Sequence, residues 1–127
     1  GLANLDIRAL VTHHKNEGRQ ATLTAVQPPG RYGALDLDGC TVRRFQEKPN
    51  GDNSWINGGF FVVNSGVLDY IDGDQASWEH HVLPKLAAIG ELSAYRHPGF
   101  WQPMDTLRDR TRLEELWVSD LAPWKLW

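Results

Sequence analysis

The sequence is poor in the features that mark several protein classes. It holds one cysteine, Cys40, so an internal disulfide is excluded and a reducing, cytoplasmic setting is expected. No stretch approaches the roughly 18 apolar residues needed to cross a bilayer. No basic and then apolar leader opens the chain. The formal net charge is only −3, which removes the electrostatic reason to expect nucleic acid or an acidic membrane as a partner. HExxH, GxSxG, a P-loop and Cys/His clusters are all missing, which argues against zinc and against the chemistries those motifs carry. The only methionine is Met104, and the chain opens "GLANLD". A piece of a longer protein, or a processed product, is therefore expected, and with it half of a functional site.

What is present suits one domain or part of a larger one: 127 residues, 41% hydrophobic and 23% charged, near the averages for globular proteins. The six tryptophans offer an aromatic core, sugar-stacking surfaces or an interface. Ile7, Leu10, Val11 and His14 recur at helical spacing, with Asn4 as the expected N-cap and Gly18 as the stop. Ala21, Leu23 and Ala25 alternate with Thr22 and Thr24 in a strand closed by Pro28 and Pro29. "RYGALDLDGCTVRRFQEK" predicts a hairpin turning at Asp38-Gly39. "GFFVVNSG" predicts a strand buried on both faces. "SGVLDYID" and "SWEHHVLPKLAAIG" predict two helices. Ser77 would cap the second, with His80 where a capping box prefers Glu or Gln, and Gly90 would end it. "ELSAYRH" is a weak strand. "TLRDRTRLEELWVSD" is the clearest helix, with Thr106 and Asp109 as an acidic capping box and Leu107, Leu113, Leu116 and Trp117 as its apolar face. The apolar tail "LAPWKLW" needs something to pack on. The mixture predicts an α/β protein.

Three places invite a functional reading. Glu47-Lys48-Pro49 ends a strand with an acid and a base, and Pro49 fixes the exit direction. A carboxylate suits sugar hydroxyls and an ammonium suits phosphate, but an exposed charged strand end has the same residues. Asn57-Gly58-Gly59 allows a ligand close to the backbone, or simply makes a turn that requires positive φ. Asp105, beside Thr106 at the start of the last helix, could hold Mg²⁺, or else Asp105 or Thr106 simply caps the helix. The adjacent pairs His13-His14 and His80-His81 do not face one another on a helix, and His97 stands alone, so none of them predicts a metal clamp.

Taken together, "PGRYGALDLDG…RFQEKP", "SWINGGFFV", "YRHPGFWQPMDTLRD" and "APWKLW" resemble the sugar-phosphate nucleotidyltransferase family across nearly the whole chain. The Trp-Ile-Asn-Gly-Gly-Phe-Phe and Gly-Phe-Trp-Gln-Pro-Met-Asp-Thr runs are similar to its cytidylyl-transferring branch. The resemblance implies a three-layer, Rossmann-like α/β fold with a mostly parallel central sheet. Residues 1–127 would be its C-terminal, sugar-phosphate-binding portion. It implies transfer from CTP to α-D-glucose 1-phosphate, giving CDP-glucose for bacterial O-antigen dideoxysugars, with Mg²⁺ as cofactor. By the same resemblance Glu47 and Asn57 would hold the glucose and Lys48 the sugar phosphate. Gly33 would admit the sugar to the backbone, and Asp105 would be one of two aspartates on the metal. The family's glycine-rich loop, its base pocket and its first metal aspartate would lie before Gly1. The chain alone is therefore expected to be inactive and to associate as a homo-oligomer. Two alternatives stay open: a related enzyme using another nucleotide or sugar phosphate, and a non-catalytic sugar-phosphate-binding module.

Overall fold

The computed structural model describes residues 1–29, 33–47 and 54–127, and along 33–37 and 43–47 it describes the backbone path. Its helices and strands interleave along the chain in the α/β manner, in two compact units. One gathers residues 1–5, 26–56 and 98–127, the other 6–25 and 57–97.

The second unit begins with α1 (Ile7–Glu17). Its cap is Asp6, whose carboxylate accepts the Ala9 N–H at 3.0 Å, and not Asn4. Asn4 stands too early to reach the free N–H groups of the first turn, and its own N–H donates to the Phe100 carbonyl at 3.3 Å. Gly18 ends the helix at φ 65° and returns its N–H to the His14 carbonyl, a left-handed stop that suits glycine. Leu10 and His14, one turn apart, form the buried stripe.

Three strands order as β5-β2-β6, from β2 (Ala21–Val26), β5 (Ile56–Val63) and β6 (Leu92–His97). The central place of β2 buries it on both faces, and Thr22 and Thr24 are both 0% exposed. Burying a hydroxyl without a partner is costly. Thr22 Oγ1 is satisfied by His14 Nδ1 at 2.8 Å and Ser93 Oγ at 2.6 Å. The other ring nitrogen, Nε2, donates to Asn64 Oδ1 at 2.8 Å, and the Asn64 amide group donates to the Arg19 carbonyl. This chain of polar groups links α1 to β2, to β6 and to the residue that follows β5.

β5 departs from expectation. It takes an edge place in this order, Phe60, Phe61 and Val62 are half-buried, and Val63 is 46% exposed. An apolar run reports affinity for a core, not the number of neighbours a strand receives. The next run, expected to be an α-helix, is a 3₁₀ helix over Ser65–Tyr70 without a side-chain cap. Its N-cap residue, Asn64, has its amide engaged by His14 and Arg19, and 3₁₀ turns are the usual form of such short pieces.

Ser77 caps as expected, accepting the His80 N–H at 3.3 Å. The reciprocal bond comes one residue later, from the Ser77 N–H to His81 Nδ1 at 2.7 Å. The expected single helix is instead a π turn, Trp78–Val82, running into α2 (Leu83–Ala88). Pro84 explains the split: it has no N–H to give to the carbonyl four residues back, and its ring crowds that carbonyl. The turn widens ahead of it. Val82 and Leu86 close a core with Ala21 and Val67, against which Tyr70, Trp78 and Leu92 pack.

In the first unit, β3 (Gly33–Asp38) and β4 (Thr41–Glu47) form the expected antiparallel hairpin. Asp38 pairs with Thr41, so the two loop residues are Gly39 and Cys40, one position later than predicted. Gly39 takes φ 59°, the conformation that tight hairpins ask of glycine. A register shift at Asp36/Leu37 leaves Arg43 as an extra residue on β4, a bulge. β1 (Leu2–Ala3) pairs antiparallel with β7 (Trp101–Gln102). α3 (Leu107–Val118) starts in the predicted capping box. Its apolar face is narrower than expected: Leu113 is buried, Leu116 is half-buried, and Leu107 and Trp117 are 76% and 51% exposed. Part of the tail finds a partner, as Trp124 lies against Phe100 with ring centres 5.8 Å apart.

Candidate functional site

The start of α3 excludes the capping reading of Asp105. Thr106 is the cap: its hydroxyl accepts the Asp109 N–H at 3.1 Å, and Asp109 Oδ2 accepts the Thr106 N–H at 3.2 Å. The Asp105 carboxylate is thus not spent on capping. The residue is exposed, and its backbone N–H is held by Asp109 Oδ2 at 3.2 Å. A fixed peptide with a solvent-facing carboxylate suits cation binding. Asp109 itself is 9% exposed and also accepts from Gln102 Nε2 at 3.2 Å. The sequence showed Asp109 only as a helix cap. The bonds to Gln102 and to the Asp105 N–H depend on where β7 runs, and no local pattern encodes that.

Asn57 lies at the start of β5, exposed, and its Oδ1 accepts the Gly59 N–H at 2.9 Å. Gly59 has φ 85°, so the turn reading of Asn57-Gly58-Gly59 is correct as far as it goes. The arrangement spends the side-chain oxygen and leaves the amide NH₂ to donate to a ligand oxygen. Asn57 and Asp105 belong to different units. Gly33 and Glu47 are brought opposite each other, as backbone partners at the open end of the β3–β4 hairpin. Lys48 lies outside the described residues. A shallow depression lined by Thr111, Glu114, Glu115, Val118 and Ser119 sits toward the far end of α3 from Asp105 and contains none of the candidate residues.

Three of the histidines serve structure. His14 holds the Thr22–Asn64 link, His81 helps to cap the π turn, and the His13 ring meets Tyr95 edge-on at 5.4 Å. Among the described residues no three His, Cys, Asp or Glu side chains gather as a metal cluster, and no helix is long and apolar enough to cross a membrane.

A family model described as nucleotidyl transferase matches residues 2–102, and the chain belongs to that family. Within it, the chain is 59% identical over 127 residues to the glucose-1-phosphate cytidylyltransferase of Salmonella typhi, covering 100% of this chain and 49% of that protein. It is 36% identical over 128 residues to the probable glucose-1-phosphate cytidylyltransferase of Bacillus subtilis, covering 100% and 50%. A crystal structure of a "Putative Glucose-1-Phosphate Thymidylyltransferase" from Bacillus anthracis, in complex with a sucrose, superposes with a TM-score of 0.58 at 19% identity, over 88% of this chain and 49% of that one. That last likeness is one of fold. The chain spans about half the length of the curated relatives it matches.

Proposed function

We propose that this chain supplies the sugar-phosphate side of a cytidylyl transfer, in which CTP and α-D-glucose 1-phosphate give CDP-glucose and pyrophosphate. The observation that carries the proposal is identity of 59% across the entire chain to the Salmonella typhi cytidylyltransferase. A probable mannose-1-phosphate guanylyltransferase from Oryza sativa shares 37% over 119 residues, so a different nucleotide or sugar is the weaker reading. The exposed carboxylate of Asp105, not used in capping, is in keeping with the metal role proposed for it.

In this proposal a phosphate oxygen of the sugar attacks the α-phosphorus of CTP in line, and pyrophosphate leaves. Two anions have to approach, so positive charge must offset their repulsion. Lys48 contributes it at the sugar phosphate. Glu47 accepts hydrogen bonds from glucose hydroxyls, Asn57 donates to the ring or its hydroxyls, and Gly33 lets the sugar approach the hairpin backbone. Asp105 is the residue that would hold Mg²⁺, which binds through one or two carboxylates together with substrate phosphates. A lone exposed carboxylate fits half of that requirement. Bound there, the ion would neutralise phosphate charge. We further propose that the chain alone does not turn over and that it forms a homo-oligomer in the cytoplasm, with neither nucleic acid nor membrane as partner.

The test is calorimetric titration of the chain with glucose 1-phosphate, beside Glu47→Ala and Lys48→Ala. A charge-assisted hydrogen bond contributes roughly 1.5–3 kcal/mol. Lys48→Ala is therefore expected to weaken binding by about one to two decades, and to lower efficiency by as much when placed in a full-length parent. Unchanged heats in both variants remove the strand end from the site. Pyrophosphate release from CTP by the chain alone refutes its inactivity.

A further inference from the structure

Among the described residues, Asp109 is the only buried carboxylate. Taking a carboxylate out of water is expensive unless donors surround it. Here they do: Gln102 Nε2 reaches Oδ1, and the N–H groups of Asp105 and Thr106 both reach Oδ2, each at 3.2 Å. A capping box needs only the bond to the Thr106 N–H, and a solvent-facing Asp can make it. The bonds to Gln102 and to the Asp105 N–H exceed that need. Gln102 is itself 5% exposed and sits on β7, paired with Leu2, so the carboxylate is anchored on a strand as well as on α3.

We infer that Asp109 is a positioning residue, anchored by Gln102, which fixes the peptide of Asp105 so that the exposed Asp105 carboxylate is presented to a divalent cation. The inference rests on the proposed metal role of Asp105. Outer partners that orient a metal ligand commonly change metal affinity about 10–100-fold. Asp109→Asn keeps the size of the side chain but removes its charge. Its NH₂ must then face either the two backbone N–H groups, donor against donor, or Gln102, whose amide has to turn over and give up its bond to the Pro103 carbonyl to accept it.

The experiment uses Mn²⁺ as the probe and backbone amide NMR of the chain as the readout, following amide exchange and the Mn²⁺ concentration that half-broadens the signals around residue 105. In Asp109→Asn the Asp105 and Thr106 amides are expected to exchange about tenfold faster, and the Mn²⁺ requirement to rise about tenfold. Gln102→Met leaves the capping box complete and is expected to raise the requirement as well, by less than Asp109→Asn. Thr106→Ala weakens the helix start but leaves Asp109 beneath the Asp105 N–H, and is expected to leave the requirement unchanged. If Thr106→Ala raises it as much as Asp109→Asn, the effect is one of helix stability and the inference is overturned. It is also overturned if neither Asp109→Asn nor Gln102→Met changes Mn²⁺ broadening while Asp105→Ala abolishes it. If Asp105→Ala leaves the broadening unaltered, the metal role of Asp105 is what fails, and the inference falls with it.

Discussion

His14 shows what one residue does in this fold. It is 5% exposed, and its ring bridges Thr22 Oγ1 and Asn64 Oδ1. His14→Ala would leave a void and an unpaired acceptor on Asn64. The expected cost is about 3 kcal/mol, read from urea unfolding of the two chains, and a loss below about 0.5 kcal/mol would show that the bridge carries no stability. The sequence placed His14 on the inner face of α1 by its spacing from Ile7 and Leu10, but could not name its partners, since Thr22 and Asn64 arrive from other elements. Asp105 teaches the same lesson. Capping and metal binding were equally compatible with an aspartate beside a threonine; the Thr106–Asp109 capping box that the sequence offered is formed, and its hydrogen bonds leave Asp105 out of the cap.

At the scale of elements, α2 is tied to the loop before it by an exposed ion pair, Lys85 Nζ to Asp72 Oδ2 at 2.7 Å. The hydrogen bond from Lys85 holds the Asp72 carboxyl below the usual carboxylate range, its charge adds to this, and the His81 charge contributes less. A depressed folded-state pKa stabilises the fold above the unfolded pKa, and the contribution is lost as pH falls through the folded one. Acid is thus expected to loosen this tie, weakly, because both groups are exposed. An NMR titration of the Asp72 carboxyl should give a midpoint below that of a free aspartate, and Lys85→Ala should raise it. Equal midpoints in the two chains would mean that the pair does not form in solution. Where elements start and stop was largely legible: Gly18, Ser77, Gly90 and Thr106 all act where the sequence put them. The helix over Ser77–Gly90 was misjudged because its apolar spacing hid the consequence of Pro84.

At the scale of the whole molecule, Leu107, Val118, Leu121, Leu126 and Trp127 are between 66% and 84% exposed, all on α3 or the tail after it. Apolar side chains left in water in such number favour association, in keeping with the oligomer proposed above. Sedimentation at micromolar concentration is expected to give a mass above the 14.4 kDa of one chain. The double variant Val118→Glu, Leu121→Glu is expected to shift the chain toward the monomer. A native chain that sediments as a monomer would count against the oligomer.

The sequence by itself determined the α/β class, the hairpin, the caps at Ser77 and Thr106 and the membership of a nucleotidyltransferase family. The hairpin and those caps depend on residues close together in the chain, where an i to i+3 hydrogen bond or a glycine at positive φ leaves a local mark, and the family is marked by short motifs kept in order along nearly the whole chain. Tertiary structure alone decided that Thr22 and Thr24 are buried, that β5 takes an edge place, and that Asp109 is enclosed while Asp105 faces water. Burial is set by which neighbours a strand or helix turn receives, and those neighbours come from distant parts of the chain.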